Sequence, residues 1–269
     1  MYKGIALSFI VYEQQGRDKD LPAYLAEIAV GGFDALEMRV DKFFGSKAAS
    51  EAASVALRVD NQKMYTGLVE AELDDGTRAA QTSMAVVAAA ERAVARDLDF
   101  RGVVLVPLAG GRPRDDAAVD ASVARIQQLA SSLSRRGAWL ALHNDAVESA
   151  DDCRILRRML DATAGDANIG LALDVAWCQR GGGDAAAIAS AYKDRLKTLH
   201  LRQMRDGVWS EDLGDGDIDL RPVDKVARPL KHEVLLVVEL NHEAETRQAR
   251  RQVDDLKLSR QYLRKVFTV

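Results

Sequence analysis

Short apolar runs recur eight times along this chain, and stretches of helical or loop sequence separate them. The runs are KGIALSFI (3–10), DALEMRV (34–40), MYTGLVEA (64–71), GVVLVPLA (102–109), AWLALH (138–143), IGLALD (169–174), KTLHLR (197–202) and VLLVVEL (234–240). Most are continuous rather than alternating, as strands covered on both faces must be. Apolar residues at helical spacing fill the intervals at 79–97, 116–136, 150–163, 184–195 and 244–266, with weaker patterns at 21–31 and 46–58. Eight β-then-α units without a break in composition predict one α/β domain over residues 1–269, a single (β/α)8 TIM barrel. The 269 residues fit a fold that typically takes about 250. An open doubly wound sheet, or two smaller domains, would satisfy the same periodicity.

Bulk properties exclude several classes. A net charge of −4 gives no general attraction to nucleic acid or to an anionic membrane. No apolar stretch approaches the ~18 residues that span a bilayer. The N-terminal run lacks a small-residue cleavage site and reads as a first strand, not a signal peptide. Cys153 and Cys178 are too few for a disulfide framework, so reduced thiols in a cytoplasmic protein are the simpler expectation.

The runs end in residues that carry chemistry. His143, Asp174, His200 and Glu239 lie at or near the C-terminal ends of the fifth to eighth runs. A desolvated carboxylate costs several kcal/mol without a metal, cation or hydrogen-bond donors beside it. Asp174 could equally cap the next helix or pair with an arginine. In a closed parallel barrel, however, strand C-termini converge on the axis. One imidazole and two carboxylates brought together there make an N/O site for a divalent ion. The longer, glycine-rich loops also follow strand ends: LAGGRPRDD (108–116), QRGGGD (179–184) and MRDGVWSEDLGDGDID (204–219). GGRPR (110–114) offers backbone amides and two arginines to an anion, although such loops are common on surfaces.

The motif text resembles the xylose-isomerase-like barrels, which include sugar-phosphate isomerases and epimerases and inosose dehydratases. The stretches concerned are GGFDALEMRV, LALHNDAVE, DVAWCQRGGGD, LKTLHLRQMRDG with DLGDGDID, and VVELNHE. The likeness covers nearly the whole chain and is strongest over 138–243. It implies that Asp174, His200 and Glu239 are metal ligands. The family's usual fourth ligand is a strand-five Glu, and here that strand ends in His143, with Asp145 and Glu148 beyond it. His143 is then a fourth ligand or a base, and Glu148 an alternative that reaches the metal or a substrate hydroxyl. The family Lys-Asp after the His is Arg202-Gln203 here. Arg202 is expected to hold a substrate carboxylate or oxyanion, or else to make a barrel-rim ion pair. Trp177 stacks on a sugar or packs under its loop. Glu37 and Arg39 line the pocket or pair with each other through neighbouring strands.

The resemblance implies an enzyme that uses Mn, Co, Zn, Fe or Mg to polarise a carbonyl and stabilise an enediolate. Glu239 and His143 would move the proton. The expected function is a metal-dependent sugar or sugar-acid isomerase or epimerase on a small carbohydrate or keto acid. An inosose-type dehydratase (a lyase) shares the first step, and a degenerate barrel that only binds a metabolite is a further alternative. An apurinic endonuclease needs more ligands than His143, His200, His232 and His242 provide. The Ala-rich helix 79–97 offers a packing face for a homo-oligomer.

Overall fold

A computed structural model describes residues 2–17, 20–108 and 114–269. Most of GGRPR therefore lies outside the described residues, and the anion reading of that loop with it. Eight parallel strands close into a barrel: β1 (Tyr2–Ser8), β2 (Ala35–Arg39), β3 (Lys63–Glu70), β4 (Gly102–Val106), β5 (Trp139–His143), β6 (Ile169–Asp174), β7 (Leu196–Leu201) and β8 (Val234–Val238). Each strand pairs with its sequence neighbours, and β8 closes the ring against β1. The open-sheet alternative is thereby excluded.

Period two sorts each strand into an inner and an outer face. On β8, Val234, Leu236 and Val238 join the core under the helices, while Leu235 and Val237 face the barrel interior with Ala6, Ala35 and Tyr65. Ala141 and Ala172 belong to a second interior layer with Leu68, Val104 and Val106. A side chain at Gly4 would collide with the Tyr65 ring, so this glycine makes room for the barrel floor. The inward stripe that reaches the C-terminal mouth ends in polar residues. After Ala141 comes His143, after Ala172 comes Asp174, after Thr198 comes His200, and after Val237 comes Glu239.

Helices cover the outside: α2 (Leu21–Val30), α4 (Lys47–Val59), α5 (Gly76–Val94), α6 (Asp116–Ser134), α7 (Ala146–Ala162), α9 (Ala185–Ala191), α10 (Arg221–Ala227) and α11 (Gln252–Phe267). Short helices α1 (Ile10–Gln14), α3 (Val40–Phe43) and α8 (Val175–Arg180) sit at strand ends. Their few turns are too brief to show a periodic pattern in sequence. The predicted 244–266 helix begins only at Gln252. Ahead of it, the Glu243 N–H donates to Thr246 Oγ1 and Arg250 is drawn onto Glu211, Asp212 and Asp255, so tertiary ion pairs override local propensity. Ahead of the predicted 150–163 helix, Asp145 and Glu148 form a capping box that starts a short turn at Ala146, and the backbone leaves helical geometry over Ala150–Cys153 before the helix runs on to Ala162. Cys153 and Cys178 are free thiols whose sulfurs lie 3.3 Å apart. Among the described residues no helix is long and apolar enough to cross a membrane.

Candidate metal and catalytic centre

Register brings the polar strand ends together in a two-residue stagger. Asp174 lies beside His200 across β6–β7, His200 beside Val237 across β7–β8, and His143 beside Ala172 across β5–β6. His143, Asp174, His200, Arg202 and Glu239 are all buried. His200 Nδ1 is 2.8 Å from Glu239 Oε2, and its Nε2 is 3.4 Å from Glu37 Oε2. Glu37 also accepts a hydrogen bond from Thr66 Oγ1 at 2.9 Å. His143 Nε2 stands 3.8 Å from Glu239 Oε2 and 4.0 Å from Asp174 Oδ2, too far for hydrogen bonds. The two imidazole rings meet edge to face, with centroids 4.5 Å apart.

Arg202 closes the constellation. Its Nη2 reaches Asp174 Oδ2 at 2.9 Å and makes a close ion pair with Glu239 Oε1. The guanidinium stacks near Trp177 and Trp209, which pack edge to face on each other. Asp174 uses its other oxygen to accept from the Trp177 N–H at 2.7 Å, capping α8. Both alternative roles foreseen for Asp174, helix cap and arginine partner, are thus present. Asn144 fastens the same corner. It accepts from the Asp174 N–H at 2.8 Å and donates to the Asp174 carbonyl at 2.9 Å.

These contacts set the charges. Burial favours an uncharged Glu239, but the Arg202 guanidinium and the His200 hydrogen bond overcome it and hold the carboxyl well below its usual range. Asp174 faces Arg202 too, yet burial dominates there and pushes it up to about 6. Burial opposes a charge on His200, but Glu37 and Glu239 outweigh it and push the imidazole up to about 10. His143 goes the other way, because burial and the neighbouring His200 hold it neutral.

The remaining expected residues divide. Glu37 lies in the cluster and Trp177 borders it. Glu148 does not join: its carboxylate accepts from the Leu108 N–H at 3.1 Å and the Asp145 N–H at 3.2 Å, so it serves the capping box. Burial pushes it up to about 7. Arg39 pairs with Asp41 and Glu70 at 3.4 Å each rather than with Glu37. His232 binds the Leu196 carbonyl where β7 begins, at the opposite end of the barrel. Trp209 and Asn144 went unnoticed in the sequence. Asn144 follows a candidate ligand directly, which was a usable signal; Trp209 gave none.

The donor chemistry fits a divalent ion. Ligand atoms of His143, His200 and Glu239 lie within 4.8 Å of one another. Both ring nitrogens of His143 are buried without a hydrogen-bond partner. Two imidazoles and a carboxylate suit a first-row metal.

Residues 25–265 match the family described as xylose isomerase-like TIM barrel. No curated protein matches the chain in sequence. A xylose isomerase domain protein from Alicyclobacillus acidocaldarius superposes with TM-score 0.78 at 17% identity, covering 100% of this chain and 99% of that one. The 3-keto-D-glucoside 4-epimerase YcjR from E. coli superposes with TM-score 0.76 at 16% identity, covering 97% and 99%. The IOLI protein, with a bound zinc atom, gives TM-score 0.69 at 15% identity, covering 99% and 98%. At these identities the structural likeness is one of fold.

Proposed function

The chain belongs to the xylose isomerase-like TIM-barrel family, and on that premise we propose that it is a divalent-metal-dependent isomerase or epimerase. Its substrate is a small sugar, sugar acid or keto acid, and the reaction passes through an enediolate. The observation that carries this reading is the convergence of His143, His200 and Glu239 at the C-terminal mouth, the end where such barrels build their active sites. An epimerase and a zinc-binding protein among the structural neighbours agree with it.

His143, His200 and Glu239 would hold the ion, which as a Lewis acid polarises the substrate carbonyl. The chain's own groups do the rest. Arg202 and His200 keep Glu239 ionised, the form that accepts a proton. His143 stays neutral, the form that binds a metal, and with both ring nitrogens unpartnered it would hold the ion through one and hydrogen-bond a substrate hydroxyl through the other. Trp177, only partly buried, borders the cluster and would meet a sugar there, while buried Trp209 packs behind it against Arg202. Burial of every charged member excludes water and strengthens each interaction.

Metal analysis of the purified protein, beside a His200→Ala/Glu239→Ala variant, tests the centre. Near one equivalent of ion in the parent and little in the variant is expected. Ketoses, sugar acids and keto acids incubated with that metal in D2O should then exchange the proton next to the carbonyl. No exchange with any substrate and any of the five metals would sink the proposal. A dehydrated product would move it to the dehydratase branch.

A further inference from the structure

Arg202 stands where the expected donor set would otherwise close. Its side chain is only 2% exposed. It follows His200 by two residues, so period two points it inward as well. One nitrogen, Nη2, serves both Asp174 Oδ2 and Glu239 Oε1. The guanidinium carbon lies 5.6 Å from the Trp177 ring centroid and 4.9 Å from that of Trp209, and these rings hold it in place. Asp174 spends Oδ1 on the α8 cap, and its Oδ2, which accepts no hydrogen bond, faces the guanidinium at 2.9 Å. Glu239 gives Oε1 to the same guanidinium, while its Oε2 meets His200 Nδ1 at 2.8 Å and lies 3.8 Å from His143 Nε2. The ligand atoms that come together are those of His143, His200 and Glu239.

We propose that Arg202 is a built-in cation that withdraws Asp174 from the metal centre. It leaves a three-donor site of His143, His200 and Glu239 and sets that site's affinity for a divalent ion. This inference rests on the metal-centre reading above. Charge explains the device. Three buried carboxylates, Glu37, Asp174 and Glu239, surround one guanidinium, which touches only two of them. A divalent ion supplies further positive charge. Without the guanidinium the Asp174 carboxylate would face the ion, and its Oδ2 would be free to bind it. Arg202 thus trades tightness for an open coordination position, which a catalytic site needs for substrate. Asp174 becomes a positioning residue that orients the arginine and starts α8.

Equilibrium dialysis with Co2+ alone, read together with its visible spectrum, decides the matter. Arg202→Gln is expected to bind Co2+ on the order of 10–100-fold more tightly than the parent, with a spectrum altered by the added carboxylate. Asp174→Asn should bind about as tightly as the parent with an unchanged spectrum. Glu239→Gln should lose at least about 100-fold. Arg202→Lys keeps the charge and should stay near the parent, which separates loss of charge from general disruption. Recovery of folded Arg202→Gln only with Co2+ present also supports the proposal, because the ion then supplies the missing charge. Loss of binding in Asp174→Asn, or no gain in Arg202→Gln, overturns the role of Arg202 while leaving a metal centre. Absence of binding in both parent and Arg202→Gln overturns the metal centre itself and this inference with it.

Discussion

Among the described residues two buried clusters bring carboxylates together, and one of them has chemistry to spare. At the barrel mouth, Asp174 and Glu239 share one guanidinium, and His200 stands between Glu239 and Glu37. Beyond β7, Glu211, Asp212 and Asp255 also come close enough to hold an ion. There, however, Arg250 reaches Glu211 at 3.0 Å and Asp255 at 2.6 Å and pairs closely with Asp212. Arg205 adds 2.6 Å to Asp212 and 3.8 Å to Glu211. Two arginines against three acids leave little to satisfy, and this cluster pins the 204–219 loop to α11 through the Leu213–Ser259 hydrogen bond as well. The first cluster leaves both nitrogens of His143 without partners. Proximity of acids is therefore a poor sign of a ligand site; unsatisfied buried donors and acceptors are a better one.

That contrast can be broken by experiment. The largest effect should come from Glu239→Gln, with metal affinity falling at least about 100-fold and turnover following it. In a thermal melt this variant should lose the stabilisation that added metal gives the parent. Retained metal-dependent stabilisation would remove the distinction between the clusters. Arg250→Ala should do the reverse. It leaves Asp255 without its arginine and Glu211 and Asp212 with Arg205 alone, and because the arginine is 37% exposed the cost is about 2 kcal/mol. At this chain length that is a Tm drop of roughly 4–8 °C, equal with and without metal. A drop that metal repairs would mean that the outer cluster also binds ions.

Glu148→Ala sharpens the boundary of the first cluster. It leaves two backbone N–H groups without acceptors and should cost about 1–2 kcal/mol, with metal affinity unchanged. Altered affinity would return Glu148 to the centre. The smallest effect concerns pH. In metal-stripped protein His200 is pushed up to about 10, above an unfolded value of about 6.5. A raised histidine stabilises fully below the unfolded value and loses that contribution as pH rises through the folded one. Melting temperature should therefore decline from pH about 6.5 to about 10 and decline less in His200→Gln. An equal slope in both would locate the titration elsewhere.

The strands were legible because burial on both faces writes itself as unbroken apolar runs. IGLALD and VLLVVEL announce both a strand and the residue at or just beyond its end. His143, Asp174, His200 and Glu239 could thus be read as one end of a barrel before any contact was known. The 244–266 helix misled at its start, since an arginine-rich segment with helical propensity is held open by carboxylates far off in sequence. Glu148 misled because a capping glutamate and a site glutamate look alike until their partners are seen. Trp209 was invisible: its neighbour Trp177 lies on α8, far off in sequence, and no local pattern links them.

By itself, then, the chain dictated eight β-then-α units and the donors at their strand ends, because period, apolar runs and strand-end polarity are local properties; closure into a barrel came from strand pairing. Only the tertiary structure decided how those donors are shared. Whether Asp174 meets an ion or the Arg202 guanidinium depends on angstrom-scale separations between β6, β7 and the residue after β8. Those separations follow from barrel closure and register, and electrostatic partnership in a buried site falls off over the same few angstroms.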